Sequence, residues 1–251
     1  MTPGYAEFEF DLPGALLERI VIAFANVEPA TLSPENVANV DEAQGVYQLL
    51  VDGKLVYVGK TDADKGLRKR LERHAKTIQH RSNLKASDVT FRALRVFVFT
   101  AMDLEAQLIK YYGGTAWQNS GFGSNDPGRN RDDTRLKQEG FDERYPIDVD
   151  HPLGFEIDRE PREAASILSE LRRKLPYIIR YERSGRSIKD AHPDLQQATV
   201  NLPVGPLTAR KVVESVLAAL PPGWQATDLR ARLILYKESR NYAHGEVLGR
   251  S

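Results

Sequence analysis

From residue 14 to 27, GALLERIVIAFANV places apolar side chains at spacings of three and four, the period of an amphipathic helix. A loop with two prolines follows. At Gly45 the period changes to two. GVYQLLV (45–51) and KLVYVGK (54–60) are rich in β-branched and aromatic residues and flank Asp52-Gly53, which predicts a β-hairpin closed by a two-residue turn. Helical spacing returns over 66–80, where Leu67, Leu71, Ala75 and Ile78 form one apolar stripe. VTFRALRVFVF (89–99) becomes apolar on both faces toward its end, the pattern of a central strand. Thr100, with Asp103 three residues on, is the candidate N-cap of a helix over 101–112. GGTAWQNSGFGSNDPGRNRDD then forms a long polar, glycine-rich loop. The order β-β-α-β-α describes one small mixed unit.

Prolines and acids cluster in RYPIDVDHPLG (144–154), a boundary signal. Beyond it the pattern predicts a helix over 161–175, a strand over 176–183, a short strand over 197–202, a helix over 207–220 and a strand over 228–237. No internal repeat or low-complexity segment interrupts the chain. The expected organisation is an N-terminal helical extension (1–44), a core (45–145) and a C-terminal α/β region (150–251) for DNA recognition or dimerisation.

Bulk composition narrows this picture only a little. The chain has 251 residues, 41% hydrophobic and 28% charged, as ordinary globular proteins do. It has no cysteine, which excludes a disulfide framework, a thiolate nucleophile and a cysteine zinc site. MTPGYAEFEFDLPG has acids and prolines where a secretion signal needs a basic start, and no apolar run approaches the ~18 residues of a membrane span. A cytoplasmic, prokaryotic protein is the expectation. Formal net charge is zero, so the sum gives no sign of a nucleic-acid binder. The distribution does. Lys60, Lys65, Arg68, Lys69, Arg70, Arg73, Lys76 and Arg81 fall within one short stretch, opposed only by Asp62, Asp64 and Glu72. That makes a basic face suited to a phosphate backbone, or a solvated helix face.

Individual residues then suggest chemistry, each with a plainer reading beside it. Arg70 and His74, four apart, project on one side of their helix; a guanidinium holds phosphate and a neutral imidazole accepts a proton, though such pairs are often surface decoration. Glu105 is either a favourable charge in the first turn of the next helix or a hard oxygen ligand for Mg²⁺. Asn119 is a turn residue or part of a site. Tyr47 and Tyr57 are half-buried strand aromatics or a facing pair.

Taken in order, Gly45-Val46-Tyr47, Tyr57-Val58-Gly59-Lys60, Arg70, His74, Glu105 and Asn119 resemble the GIY-YIG nuclease superfamily, with Val in place of Ile in both triplets. GKT, LRKRLERHAKTI, WQNSGFGSNDPGRNRD and FEFDLPGALLERI are most similar to the branch of type II restriction endonucleases that cut within CCGCGG. The resemblance covers roughly residues 5 to 135, about half the chain. It implies an α+β fold in which a small mixed sheet flanked by helices forms the nuclease core. It also implies a Mg²⁺-dependent, site-specific double-stranded DNA endonuclease, with Mn²⁺ as a substitute metal. Tyr47 would then be the general base or part of its relay, helped by His74. Tyr57 and Arg70 would hold the phosphate. Glu105 would ligate the metal, and Asn119 would order the site. The two triplets are joined here by a tight turn, which leaves less protein at this edge to reach bases, so the target sequence does not transfer.

Candidate DNA contacts are Lys60, Arg68, Arg73, Arg129 and Arg131, with LRRKLPYIIRYERSGRSIKD (171–190) as a further basic stretch. The ordinary reading of that stretch is a packing or dimerisation surface. Palindromic cutting implies a homodimer, and a restriction role implies a cognate DNA methyltransferase as functional partner. Two readings compete with restriction. One is a repair or mobile-element GIY-YIG nuclease, for whose extra regions or long linker this chain shows no room. The other is a DNA-binding protein with an idle site.

Overall fold

The computed structural model describes residues 3–62, 64–97, 104–185 and 190–251. Thr100 and Asp103, the expected cap of the fourth helix, and Arg186 and Lys189 in the basic stretch lie outside the described residues. Among the described residues no helix is long and apolar enough to cross a membrane. Two units divide the chain: Met1–Ala75 with Ala86–Gln118, and Lys76–Lys85 with Asn119–Ser251.

The first unit begins with α1 (Leu12–Ala25), capped by the Asp11 carboxylate on the Gly14 N–H. β1 (Ala30–Thr31) and α2 (Pro34–Ala38), capped by Ser33, lead into the hairpin of β2 (Gly45–Val51) and β3 (Lys54–Thr61). Asp52 and Gly53 both take positive φ, 50° and 72°, as a two-residue turn with the right-handed twist of the strands requires. Then come α3 (Leu67–Gln79), β4 (Val89–Arg95) and α4 (Leu104–Tyr111). The sheet runs β1-β4-β2-β3. Its three pairings are all antiparallel, so the small sheet expected to be mixed is not. Antiparallel pairing follows from connectivity: β2 and β3 form a hairpin, and β4 returns against the other side of β2.

β2 is buried over all but its last residue, because it is interior and both its faces are covered. One face carries Val46, which with Val58 of β3 packs against Ile20 and Phe24 of α1 and Leu104 and Leu108 of α4. The opposite face carries Tyr47 and Leu49. α3 buries the predicted stripe Leu67, Leu71, Ala75 and Ile78. Its polar side bears the basic residues.

The second unit is an α/β region. It contains α5 (Phe141–Arg144), β5 (Arg162–Glu163), α6 (Ala164–Lys174), β6 (Ile178–Tyr181), α7 (Pro193–Gln197), β7 (Thr199–Val200), α8 (Ala209–Ala219), β8 (Gln225–Asp228), β9 (Arg232–Tyr236) and β10 (Glu246–Arg250). The main sheet runs β10-β8-β9-β6, with β6 and β9 parallel and the other pairs antiparallel. α6 and α8 bury Ile167, Leu168, Leu171, Val212, Val213 and Val216 in the core that also holds Trp224 and Leu233. The strand predicted over 228–237 is present as β9, shortened at its start by the turn of a hairpin with β8. Asp228 ends β8, Arg230 turns at φ 65°, and β9 starts at Arg232. β8 and β10 escape the pattern because polar residues lie at the ends of both strands.

Candidate active site

The hairpin register decides what the two triplets do. Tyr47 stands directly opposite Gly59, and Leu49 opposite Tyr57. Tyr47 and Tyr57 are thus diagonal neighbours on one face, with ring centroids 6.2 Å apart. Gly59 has a steric reason: a Cβ there would lie 2.3 Å from the Tyr47 hydroxyl and 2.4 Å from its Cζ. The missing side chain is the space through which the Tyr47 ring crosses β3. Gly45 has another. A Cβ there would lie 2.2 Å from the Leu94 carbonyl oxygen of β4 and 2.7 Å from Leu67 at the start of α3. Each glycine permits a close approach that any other residue would block.

α3 brings its pair onto the tyrosines. The Tyr47 hydroxyl lies 2.7 Å from His74 Nε2, and Arg70 Nε donates to the same hydroxyl at 3.2 Å. Both tyrosine rings lie 5.5 Å from the His74 ring, Tyr57 edge-on. Arg70 and His74 are one turn apart, so one helix presents both to one phenol. Arg70 thus fills one acceptor position of the phenol oxygen, and the tautomer of His74 sets which partner carries the proton between Tyr47 and Nε2. Tyr47 and His74 are almost wholly buried, Tyr57 nearly so, and Arg70 half-exposed.

Burial pushes the Tyr47 phenol far above its ordinary range, and the neighbouring Tyr57 adds to this; the Arg70 charge opposes it without prevailing. Burial likewise raises Tyr57. Burial, then the Arg70 and Arg73 charges, hold His74 well below its usual value, so the imidazole is neutral at pH 7. Burial works against the Arg70 cation, but the Tyr47 and Tyr57 phenols outweigh it and raise its pKa. The Glu105 carboxylate, in the first turn of α4, adds to the upward push on both tyrosines, so its charge is felt at the site. Tyr47, Tyr57, Arg70, His74 and Glu105 therefore form one cluster in the first unit.

Residues 44–143 match the family model of the Eco29kI GIY-YIG domain. The matched stretch holds all five residues of the cluster. It is similar to a GIY-YIG nuclease domain of restriction-enzyme type, and a nuclease domain implies contact with DNA. No curated protein matches the chain.

Asn119 is exposed, has φ 55° and opens the second unit. Its neighbour Gln118, which sequence reasoning missed, makes the ordering contacts in the first unit. The Gln118 amide donates to the Val58 carbonyl at 2.9 Å and accepts from the Val58 N–H at 3.4 Å, while Trp117 N–H donates to the Val56 carbonyl. Residues 117 and 118 thus satisfy the free edge of β3 on either side of Tyr57. A glutamine at the end of a glycine-flanked loop carries no signal of this role in sequence.

The expected DNA contacts differ in their commitments. Arg73 is exposed, and Lys60 is half-buried at the end of β3. Arg68 donates to the Val40 carbonyl at 2.8 Å. In the second unit Arg129 pairs with Glu182 at 2.6 Å and lies over the Tyr236 ring, whereas the Arg131 side chain is exposed. Arg180, from the basic stretch, is buried and paired with Asp126 and Asp132.

Proposed function

We propose that this protein is a Mg²⁺-dependent, site-specific endonuclease of restriction type that hydrolyses phosphodiester bonds in double-stranded DNA, acting as a homodimer beside a cognate methyltransferase. The observation that supports the reading best is the single phenol, Tyr47, held between a neutral imidazole and a guanidinium within the matched stretch. Tyr47 works as a relay. Its raised pKa leaves essentially no phenolate at pH 7, so it takes a proton from the attacking water only as its own proton passes to His74 Nε2. The low pKa of His74 keeps that nitrogen open before the reaction. Arg70 and Tyr57 donate to the phosphate and follow its growing charge. As the water oxygen bonds to phosphorus, the bond to the 3′ oxygen breaks.

Glu105 is the residue that would hold the metal. Its charge acts on both tyrosines, and no group of three His, Asp or Glu side chains gathers among the described residues. One hard oxygen ligand suits Mg²⁺, which keeps several waters and shares substrate phosphates. When bound, the ion supplies positive charge against the phosphate and the leaving oxygen. The test is cleavage of mixed plasmid and phage DNA with and without Mg²⁺, wild type beside Glu105→Ala. Discrete Mg²⁺-dependent fragments that vanish in the variant are expected. A smear would reject site specificity, and no cutting by wild type would reject the nuclease reading.

A further inference from the structure

The segment Asp126–Asp133 carries five charged residues in eight, and the structure sorts its polar side chains into two groups. One group is committed to ion pairs and hydrogen bonds within the protein. Asp132 is almost wholly buried and pairs with Arg180 of β6 and, at 2.9 Å, with Arg232 Nε of β9. The Tyr236 hydroxyl donates to Asp132 at 3.2 Å. Asp126 pairs with Arg180 as well, and its carboxylate accepts the Gly128 N–H at 2.9 Å. Arg129 bonds Glu182, approaches Glu238 at 3.7 Å and stacks on Tyr236. The backbone is also tied down. Arg131 N–H donates to Gly128, Asp132 N–H to Arg129, and Arg232 Nη2 donates to the Arg131 carbonyl at 2.9 Å.

Between these anchors the 3₁₀ turn Arg129–Arg131 leaves Asn130 and Arg131 exposed. Burying several charges is costly and seldom adds net stability, so such a network is best understood as fixing geometry. What it fixes is a tip bearing an amide and a guanidinium. These are the two side chains whose paired donors and acceptors match the major-groove edges of adenine and guanine. A tip whose backbone is already ordered loses little entropy on docking. Arg129, one residue away, has its guanidinium committed to carboxylates and cannot serve in the same way.

We propose that Asn130 and Arg131 are sequence-reading residues, and that the Asp126–Arg180–Asp132–Arg232 network is the scaffold that presents them to DNA bases. This rests on the endonuclease reading for its partner, duplex DNA, but not for its test. The full chain is mixed with a pool of randomised duplexes in Ca²⁺ without Mg²⁺, and bound duplexes are recovered and sequenced. Wild type, Asn130→Ala, Arg131→Ala and Arg131→Lys are compared, with Lys211→Ala, an exposed cation on α8, as control. Wild type should enrich one sequence. Arg131→Ala should lose roughly ten- to a hundredfold of its discrimination at a guanine, and Asn130→Ala the same at an adenine, while other positions keep their preference. Arg131→Lys should keep affinity for unselected duplex and lose the preference, since charge remains and the fork is gone. Lys211→Ala should leave the preference intact. Enrichment of no sequence by wild type, an unchanged preference in the variants, or an equal weakening on all sequences would each overturn the proposal. Selective binding without any Mg²⁺-dependent cutting would instead reject the nuclease reading and leave this one standing.

Discussion

Gly59→Ala is the sharpest test of the site's geometry. The added methyl would meet the Tyr47 hydroxyl at 2.3 Å, Cζ at 2.4 Å and Cε1 at 2.8 Å. Ordinary contact requires about 3.5 Å, so the ring must retreat by about 1 Å. It has nowhere to go at low cost, because Tyr47 is fully buried and its hydroxyl is held by His74 at 2.7 Å and Arg70 at 3.2 Å. Overpacking of this kind costs about 1–3 kcal/mol, which lowers Tm by about 3–10 °C for a chain of this size. A misplacement of about 1 Å at a reacting group costs on the order of 10²-fold in rate. The assay is single-turnover cleavage at saturating protein, with thermal unfolding in parallel. Gly53→Ala is the control. Its φ of 72° makes it strained, but no atom lies within 4 Å of the new methyl. It should lose about 1–2 kcal/mol of stability and no cleavage rate. If Gly59→Ala cleaves at the wild-type rate, the glycine is not the passage for Tyr47, and the steric account of the second triplet is wrong.

Tyr47→Phe should reduce single-turnover cleavage by about 10²–10⁴-fold while duplex binding, measured by gel shift, stays within a few fold, because in the proposed mechanism the phenol moves a proton and does not anchor DNA. Stability should fall as pH drops below about 6.5. His74 is held well below its unfolded pKa, so the unfolded chain binds the extra proton and gains as pH falls through that value. Urea unfolding from pH 7.5 to 5 should therefore show a shallower pH slope for His74→Gln than for wild type, and equal slopes would contradict a neutral buried imidazole. Asp228, pushed up to about 6 by burial, acts in the opposite direction between its two pKa values and is common to both proteins. Asp132→Ala should cost about 3–5 kcal/mol in chemical denaturation, since it strips a carboxylate from two buried guanidinium groups. A cost below about 1 kcal/mol would show that the buried network does not hold the 126–133 segment.

How much could be read in advance differs from element to element. The strands and turn of the hairpin were legible, because Asp52-Gly53 is the signal of a two-residue turn, but the register at the triplets was not: a shift between Leu49 and Leu50 sets Tyr47 opposite Gly59 rather than Val58, and so brings Tyr47 and Tyr57 onto one face. α3 and α8 were legible from their stripes. Of the cluster, Tyr47, Tyr57, Arg70, His74 and Glu105 were named from order and spacing. Gln118 was not, since an amide that patches a strand edge from a distant loop leaves no periodic trace. The basic count also misled in part: Arg129 and Arg180 add to the positive charge in sequence, yet the fold pairs them with Glu182, Asp126 and Asp132.

By itself, then, the sequence determined what local chemistry can determine: where the chain turns, which helix faces are apolar, and that two Gly-and-Tyr triplets face each other across a hairpin. Those are short-range effects, set by backbone sterics and periodic burial over a few residues. Tertiary structure alone decided which charges remain available, which amide closes the edge of β3, and that one phenol meets both an imidazole and a guanidinium. Each of these depends on groups far apart in sequence whose solvation and partners exist only once the chain is packed, and that information lies in no single stretch of it.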